Sequence, residues 1–294
     1  MDQPTQTALS VPSELASWPE RIGVAPGDRV LLTADVTRVA WLFRRSGVKG
    51  VPAMLLDAFL DRVGADGAIV VPTFNYDLRS GEEFDIHRSP TITGALGQAA
   101  LEHPAFVRTG NPLHSFAVAG CAQQAFVNAE SGTSFGEDTP FALLRSEGFA
   151  LVGIDMHLNH AMSYFHHVEE LERVPYRRWR ERVIRYTDTQ GLTSLRTFKI
   201  YAKRWGYENE LSRLIPLLSV AGAMVSGHLD RVSFLHVDLR KAHEVIAEDI
   251  RTNEARSIVR FTWKNWLRDC YHTILPSSLP SRSQQLLSEV HARP

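Results

Sequence analysis

The sequence predicts an α/β fold, a central mixed β-sheet covered by helices, on three observations. From Asp28 onward, short β-rich runs alternate with amphipathic stretches, the pattern that arises when helices bury their apolar stripes on a sheet. The 294 residues are 44% hydrophobic, which suffices for the core that such layers need. After Pro175 the pattern turns to paired strand-like runs, expected to extend the sheet.

The elements follow in order. Arg29 to Thr33 reads as a buried strand. Pro52 to Val63 reads as a helix, with Pro52 in the first turn, where a missing donor is tolerated, and Met54, Leu55, Ala58 and Phe59 at helical spacing. Ala68 to Phe74 is the next strand, Thr91 to Leu101 a helix, Ser115 to Ala119 extended and Phe141 to Ser146 helical. Ala150 to Ile154 is a strand, and Met162 to Arg173 a single helix. Arg182 to Thr187 and Leu192 to Tyr201 are strand-like and flank Asp188-Thr189-Gln190-Gly191, a hairpin turn by composition. Glu208 to Leu218 is compatible with a helix and Val232 to Val237 with a strand. Asp238 to Ile250 is an amphipathic helix capped by Asp238. We read 1–15 as a polar tail, 16–260 as the domain and 261–294 as an appended arm ordered in part by Trp263 and Trp266.

A formal net charge of -1, with Lys and Arg spread along the chain, lacks the footprint that phosphate-backbone binding requires. Nucleic acid is therefore not an expected partner. The segment Met1 to Pro12 has no basic start followed by an apolar run, and Leu214 to Val225 contains Pro216 and is too short to span a bilayer. The expected setting is cytoplasmic, without a membrane partner. Cys121 and Cys270 are too few and too distant for a disulfide framework and read as buried free thiols.

Ionisable groups are densest in Asp155-Met156-His157-Leu158-Asn159-His160 and Ser163-Tyr164-Phe165-His166-His167-Val168-Glu169-Glu170. The set begins at the carboxyl end of a predicted strand, where open α/β sheets place their ligand crevices. On a helix His166 and Glu169 share a face, so the carboxylate can orient the imidazole and support it as a general base. The same spacing also describes an ordinary surface pair. A metal site built on His157, His160 and His166 is the alternative, but the spacing matches no zinc signature well, so no metal is expected. The segment Arg108 to Gly120 offers small residues, hydroxyls and backbone donors suited to a narrow ligand, and is equally a loop entering a core strand. At Thr33-Ala34-Asp35-Val36-Thr37 a strand runs into a helical stretch. Its backbone donors and the Thr37 hydroxyl suit a phosphate, and capping by Asp35 or Thr37 explains the pattern as well.

These segments, in this order, resemble the aminoglycoside 3-N-acetyltransferase family. Thr33-Ala34-Asp35-Val36-Thr37 is similar to its His-Ser-Ser-Leu-Ser loop, without the leading His and paired Ser. Val71-Pro72-Thr73-Phe74 resembles its Met-Pro-Thr-Phe strand end, and Ser89-Pro90 with Gly94 its Ser-Pro-x-x-x-Gly segment. Arg108-Thr109 with Pro112 and Ser115 resembles Arg-Ser-x-x-Pro-x-x-Ser, and Gly136 to Pro140 resembles Gly-x-x-Ser-Pro. Ser163 to Glu169 resembles Thr-x-x-His-x-x-Glu. The similarity runs in order from Asp28 to Arg177 and more loosely to Ile250. Phe165 to Glu170 with Val174-Pro175-Tyr176-Arg177 is also similar to a subgroup linked to surface-polysaccharide pathways, which favours an amino sugar on a nucleotide carrier or glycan as acceptor.

The resemblance implies an α/β fold distinct from the common small acetyltransferase fold, and direct transfer from acetyl-CoA to a primary amine. It implies that His166 removes the amine proton and Glu169 polarises it. Thr33, Ala34, Asp35, Val36, Thr37, Thr73 and Ser115 are expected to bind the cofactor, and Tyr76, His114, Asp155 and Glu170 to face the small-molecule amine. A homodimer is compatible with this reading. A metal-dependent hydrolase and a non-catalytic sugar- or partner-binding relative are the alternatives.

Overall fold

The computed structural model describes residues 11–44, 47–129, 132–274 and 280–291. Twelve strands are described: β1 (Arg29–Ala34), β2 (Ala68–Pro72), β3 (Glu83–Asp85), β4 (Val107–Arg108), β5 (Phe116–Gly120), β6 (Ala150–Ile154), β7 (Arg177–Thr187), β8 (Thr193–Lys203), β9 (Tyr207–Asn209), β10 (Met224–Leu229), β11 (Val232–Asp238) and β12 (Val259–Phe261). Seven form the central sheet in the order β10-β11-β6-β1-β2-β5-β4. β1 pairs in parallel with β2 on one side and β6 on the other, whereas every outer pairing is antiparallel.

The three parallel strands are apolar because both faces are covered. Alternation along them sorts the core into two halves: Leu31, Val70 and Leu151 point into one cluster, and Val30, Leu32, Ile69, Val71, Val152 and Ile154 into the other. Helices Ser13–Ile22, Val36–Arg44, Val51–Val63 and Ala95–Glu102 cover the second face, and Pro140–Ser146, Phe165–Leu171, Leu214–Val220 and Leu239–Asn253 the first. The helix Leu239–Asn253 begins as the sequence requires, with Asp238 Oδ1 accepting from the backbone N–H of Arg240 at 2.9 Å and of Lys241 at 3.1 Å.

Several expectations are corrected. The hairpin β7–β8, closed by Asp188 and by Gly191 at φ 79°, does not extend the central sheet. It joins β3 in a separate three-stranded sheet over its own small core of Leu78, Phe84, Leu113, Ile184, Tyr186 and Phe198. The central sheet is lengthened instead by β10–β11, whose first two residues, Met224 and Val225, end the apolar stretch Leu214 to Val225. The helix expected from Met162 to Arg173 is confined to Phe165–Leu171, and a separate short helix, Leu158–Ala161, precedes it. The segment from Glu208 splits into β9 and the helix Leu214–Val220.

The domain begins before residue 16, because Leu15 and Trp18 are fully buried in the core; the first ten residues of the polar tail lie outside the described residues. Cys121 is exposed and Cys270 half-buried. The arm carries the helices Trp263–Ile274 and Arg282–His291, and the second is tied back to the body by Ser281, Ser283 and Gln284 bonding Glu82, Asp77 and the Glu83 backbone. Among the described residues no helix is long and apolar enough to cross a membrane.

Candidate active site

Because β1, β2 and β6 are parallel and β1 is bordered on both sides by strands that follow it in sequence, their carboxyl ends open one crevice at a topological switch point. A cavity of about 180 Å³ lies there. Its walls include Thr33 and Ala34 from β1, Phe74 and Tyr76 beyond β2, Gly97, and Met156, His160 and Ser163 beyond β6. Gly97 is required by close approach: a Cβ there would lie 2.8 Å from the Pro72 carbonyl and 2.7 Å from Thr93 Oγ1. A second cavity of about 290 Å³ is lined by Asn111, Thr133, Tyr186 and Arg196. Larger clefts elsewhere on the surface hold none of the residues expected to catalyse or to bind the cofactor or the amine.

His166 opens the helix Phe165–Leu171 one turn beyond Ser163, whose carbonyl accepts from the His166 N–H at 3.2 Å. The imidazole does not itself line the 180 Å³ cavity. Its side chain is 19% exposed, whereas that of Glu169 is 0% exposed. Nδ1 lies 2.7 Å from Glu169 Oε2. The same oxygen is 2.6 Å from Arg177 Nη2, which is also 2.6 Å from Nδ1. Guanidinium can only donate, so the consistent assignment has both Nδ1–H and Nη2–H donating to the carboxylate, with the Nδ1–Nη2 proximity a consequence of sharing one oxygen. The lone pair is then on Nε2. Tyr176 Oη donates to Glu169 Oε1 at 2.9 Å, and Arg177 Nη1 to the Tyr201 carbonyl at 2.7 Å.

This arrangement changes the expected acidity. Burial, reinforced by the Arg177 charge and opposed by Glu169, lowers the His166 pKa to about 4, so the base is neutral well below pH 7. Arg177 holds Glu169 ionised despite its burial.

The other residues singled out are divided by the structure. Thr33 and Ala34 line the cavity. Asp35 caps the helix Val36–Arg44, its Oδ1 accepting from the Thr37 N–H at 3.0 Å, and bonding to Thr37 lowers its pKa. A carboxylate therefore already occupies the anion-binding donors of that turn, and Val36 is buried. Thr73 and Ser115, expected to contact the cofactor, are both fully buried and bonded to each other at 3.0 Å. Both hydroxyls are taken up by protein partners, Ser115 Oγ also donating to the Thr73 carbonyl at 2.7 Å. Arg108 secures them: Nε donates to Ser115 Oγ and Nη2 to the Thr73 carbonyl, each at 3.0 Å, Nη1 to the Ser89 carbonyl, and the guanidinium lies 4.7 Å from the Phe84 ring centroid. Burial lowers its pKa to about 9, still charged at neutral pH.

Arg108→Ala should leave these buried groups unpaired and lower stability by about 3 kcal/mol or more. A urea titration reads this directly; a midpoint equal to wild type would show the clamp to be dispensable.

Tyr76 is half exposed on the cavity wall and stacks on His114 at 6.5 Å between centroids. Asp155, in the left-handed region at φ 52°, is taken up by Arg38 Nε at 3.1 Å. Glu170 is buried, with bonds to Thr133 and the Phe135 backbone, and burial raises its pKa to about 7. The alternative metal cluster is not assembled: His157 turns back to cap the Asn159 N–H at 3.2 Å, and among the described residues no three His, Cys, Asp or Glu side chains converge to hold an ion. Tyr176, Arg177 and Phe135 belong to the site but carry no local signal, since each reaches it only after the chain has reversed.

A buried carboxylate bonded to an imidazole thus stands one turn beyond the crevice residue Ser163, at the carboxyl ends of parallel strands in an α/β fold. The chain belongs to the aminoglycoside 3-N-acetyltransferase family, whose model matches residues 42–250, more than half of the chain. It is an acyl-CoA-dependent N-acetyltransferase with acetyl-CoA as co-substrate.

Solved structures agree in fold. The aminoglycoside acetyltransferase AAC(3)-Xa aligns with a TM-score of 0.69 at 21% identity, covering 81% of this chain and 91% of that one. AAC-IIIb in a binary complex with CoASH aligns at 0.68 and 20%, covering 81% and 95%. The YokD protein from Bacillus subtilis aligns at 0.66 and 17%, covering 80% and 96%.

Proposed function

We propose that the enzyme acetylates a primary amine of an amino sugar or aminoglycoside-like acceptor, with His166 as general base and no covalent intermediate. The amine nitrogen attacks the thioester carbonyl carbon as His166 Nε2 takes the amine proton. The C–S bond then breaks, CoA leaves as the thiolate, and the carbonyl re-forms in the amide. Glu169, held ionised by Arg177, stabilises the imidazolium that forms in passing. The observation that carries this reading is the 2.7 Å bond between His166 Nδ1 and the fully buried Glu169.

The narrow cavity with apolar Leu32, Val71, Leu96 and Met156 suits a slender chain such as pantetheine. Thr33 and Ala34 stand at its wall. Tyr76, His114 and Glu170 surround the reaction centre, whereas Asp155 acts through Arg38. An amino sugar on a nucleotide carrier or glycan is the favoured acceptor, and 261–294 serves as an arm braced on the domain that carries the reaction.

A thiol-release assay with acetyl-CoA against a panel of amines, including nucleotide-linked amino sugars and aminoglycosides, tests this. Acceptor-dependent release of CoA with a matching acetylamine product is expected. Release that is independent of every amine would identify a thioesterase and overturn the reading.

A further inference from the structure

One buried polar group beside the reaction centre is not used by this mechanism. His114 is 6% exposed, and its Nδ1 has no hydrogen-bond partner among the described residues. An unpaired buried polar atom is costly to keep, and the surroundings do nothing to relieve it. The ring is boxed by Phe74 at 5.1 Å, Tyr76 at 6.5 Å and Phe135 at 4.5 Å between centroids. Phe74 and Tyr76 both line the cavity at the strand ends. Phe135 also packs against His166, at 5.2 Å, so the two histidines flank one phenylalanine behind that cavity wall.

The loop that presents His114 is rigid. Asn111 Oδ1 accepts from the backbone N–H of Leu113 and of His114, each at 3.0 Å, and Asn111 Nδ2 donates to the Thr133 carbonyl at 3.1 Å. On the other side Ser115 is fixed by Arg108. Burial, with the nearby His166, Arg177 and Arg182 charges, keeps the imidazole neutral. A neutral imidazole offers one N–H for donation and keeps the lone pair of its other ring nitrogen.

We propose that His114 Nδ1–H is the donor to the thioester carbonyl oxygen, stabilising the oxyanion that forms as the amine attacks. The inference rests on the reading of His166 as base and adds the partner that the reaction needs. Amine attack moves the C=O π electrons onto oxygen, the Nδ1–H···O bond strengthens without transferring its proton, and collapse of the oxyanion expels the thiolate. A preplaced donor in a water-poor pocket does this without reorganisation.

The test is an isotope-edited infrared spectrum of acetyl-CoA labelled with ¹³C at the carbonyl, bound to the full-length enzyme. Hydrogen bonding from His114 places the thioester band below its position in an aprotic solvent, and His114→Phe, which keeps the aromatic packing, returns it upward. With any acceptor that supports turnover, His114→Phe lowers kcat about 10²–10³-fold with the KM for acetyl-CoA changed less than about threefold, and His114→Gln restores part of the rate.

A wild-type band at the aprotic position, or the same band in wild type and His114→Phe, overturns the proposal. The wild-type spectrum decides even if the variants fail to fold. His166→Ala leaves the band in place, so failure of the base assignment, read as retained turnover in that variant, is separable from failure of the donor assignment.

Discussion

His166→Ala is expected to lower turnover about 10²–10⁴-fold, the contribution typical of a positioned general base, while the dissociation constant for CoA stays close to that of wild type. The asymmetry follows from placement: the imidazole does not line the cavity at the strand ends, so its removal takes away the proton acceptor and leaves the walls intact. Glu169→Gln should slow turnover less, because the imidazole keeps its lone pair and loses only its steering partner. It should, however, cost more in stability. Glu169 neutralises Arg177, whose side chain is 5% exposed, and a buried charge stripped of its partner destabilises by about 3–5 kcal/mol. Steady-state kinetics, CoA binding by calorimetry and thermal melts separate these effects. Equal turnover in wild type and His166→Ala would sink the assignment.

The second large effect is a loss of stability in mild acid. His114, His166, His167 and His243 are held below the ordinary histidine pKa chiefly by burial, His166 and His243 at about 4. His243 Nδ1 accepts from the Tyr164 hydroxyl at 2.9 Å and so is bonded as a neutral ring, whereas the bond from His167 Nδ1–H to the Phe135 carbonyl at 2.6 Å partly offsets the effect of burial. In the unfolded chain each takes a proton near pH 6.5, whereas in the folded protein each resists to lower pH, His166 and His243 until about pH 4. Between those values the unfolded state binds more protons, and stability therefore falls as pH is lowered.

His166 alone would contribute on the order of 3 kcal/mol across this window. Glu170 opposes it, since a pKa raised to about 7 favours the folded state as pH drops through that value, and Glu169 adds to the loss only at lower pH. Urea midpoints should fall steeply from pH 6.5 to pH 4.5, while kcat/KM over the range where the protein stays folded shows no acid limb near 6.5. Unchanged midpoints would mean that the buried rings are charged.

The local chemistry of the chain was legible to different depths. β6 and the capped helix after Asp238 follow from pattern and capping alone, because apolar alternation and a side-chain acceptor act within a few residues. The helix break between Ala161 and Phe165 was not legible, since Met162, Ser163 and Tyr164 are compatible with a helix, and burial of Met162 and Tyr164 decides otherwise. The hairpin from Arg177 was recognised as a hairpin but assigned to the wrong sheet, because its register states which residues pair and says nothing of which third strand they meet.

The site divides along the same line. Sequence alone placed His166 and Glu169 on one face of one helix, because a separation of three residues has only one meaning there. It also pointed to the end of β6 as the ligand crevice, since strand direction sets where such crevices open. Tertiary structure alone brought Arg177 onto Glu169, turned His114 towards the cavity wall, and sealed Thr73 and Ser115 away behind Arg108. Those outcomes depend on burial and on contacts between distant segments.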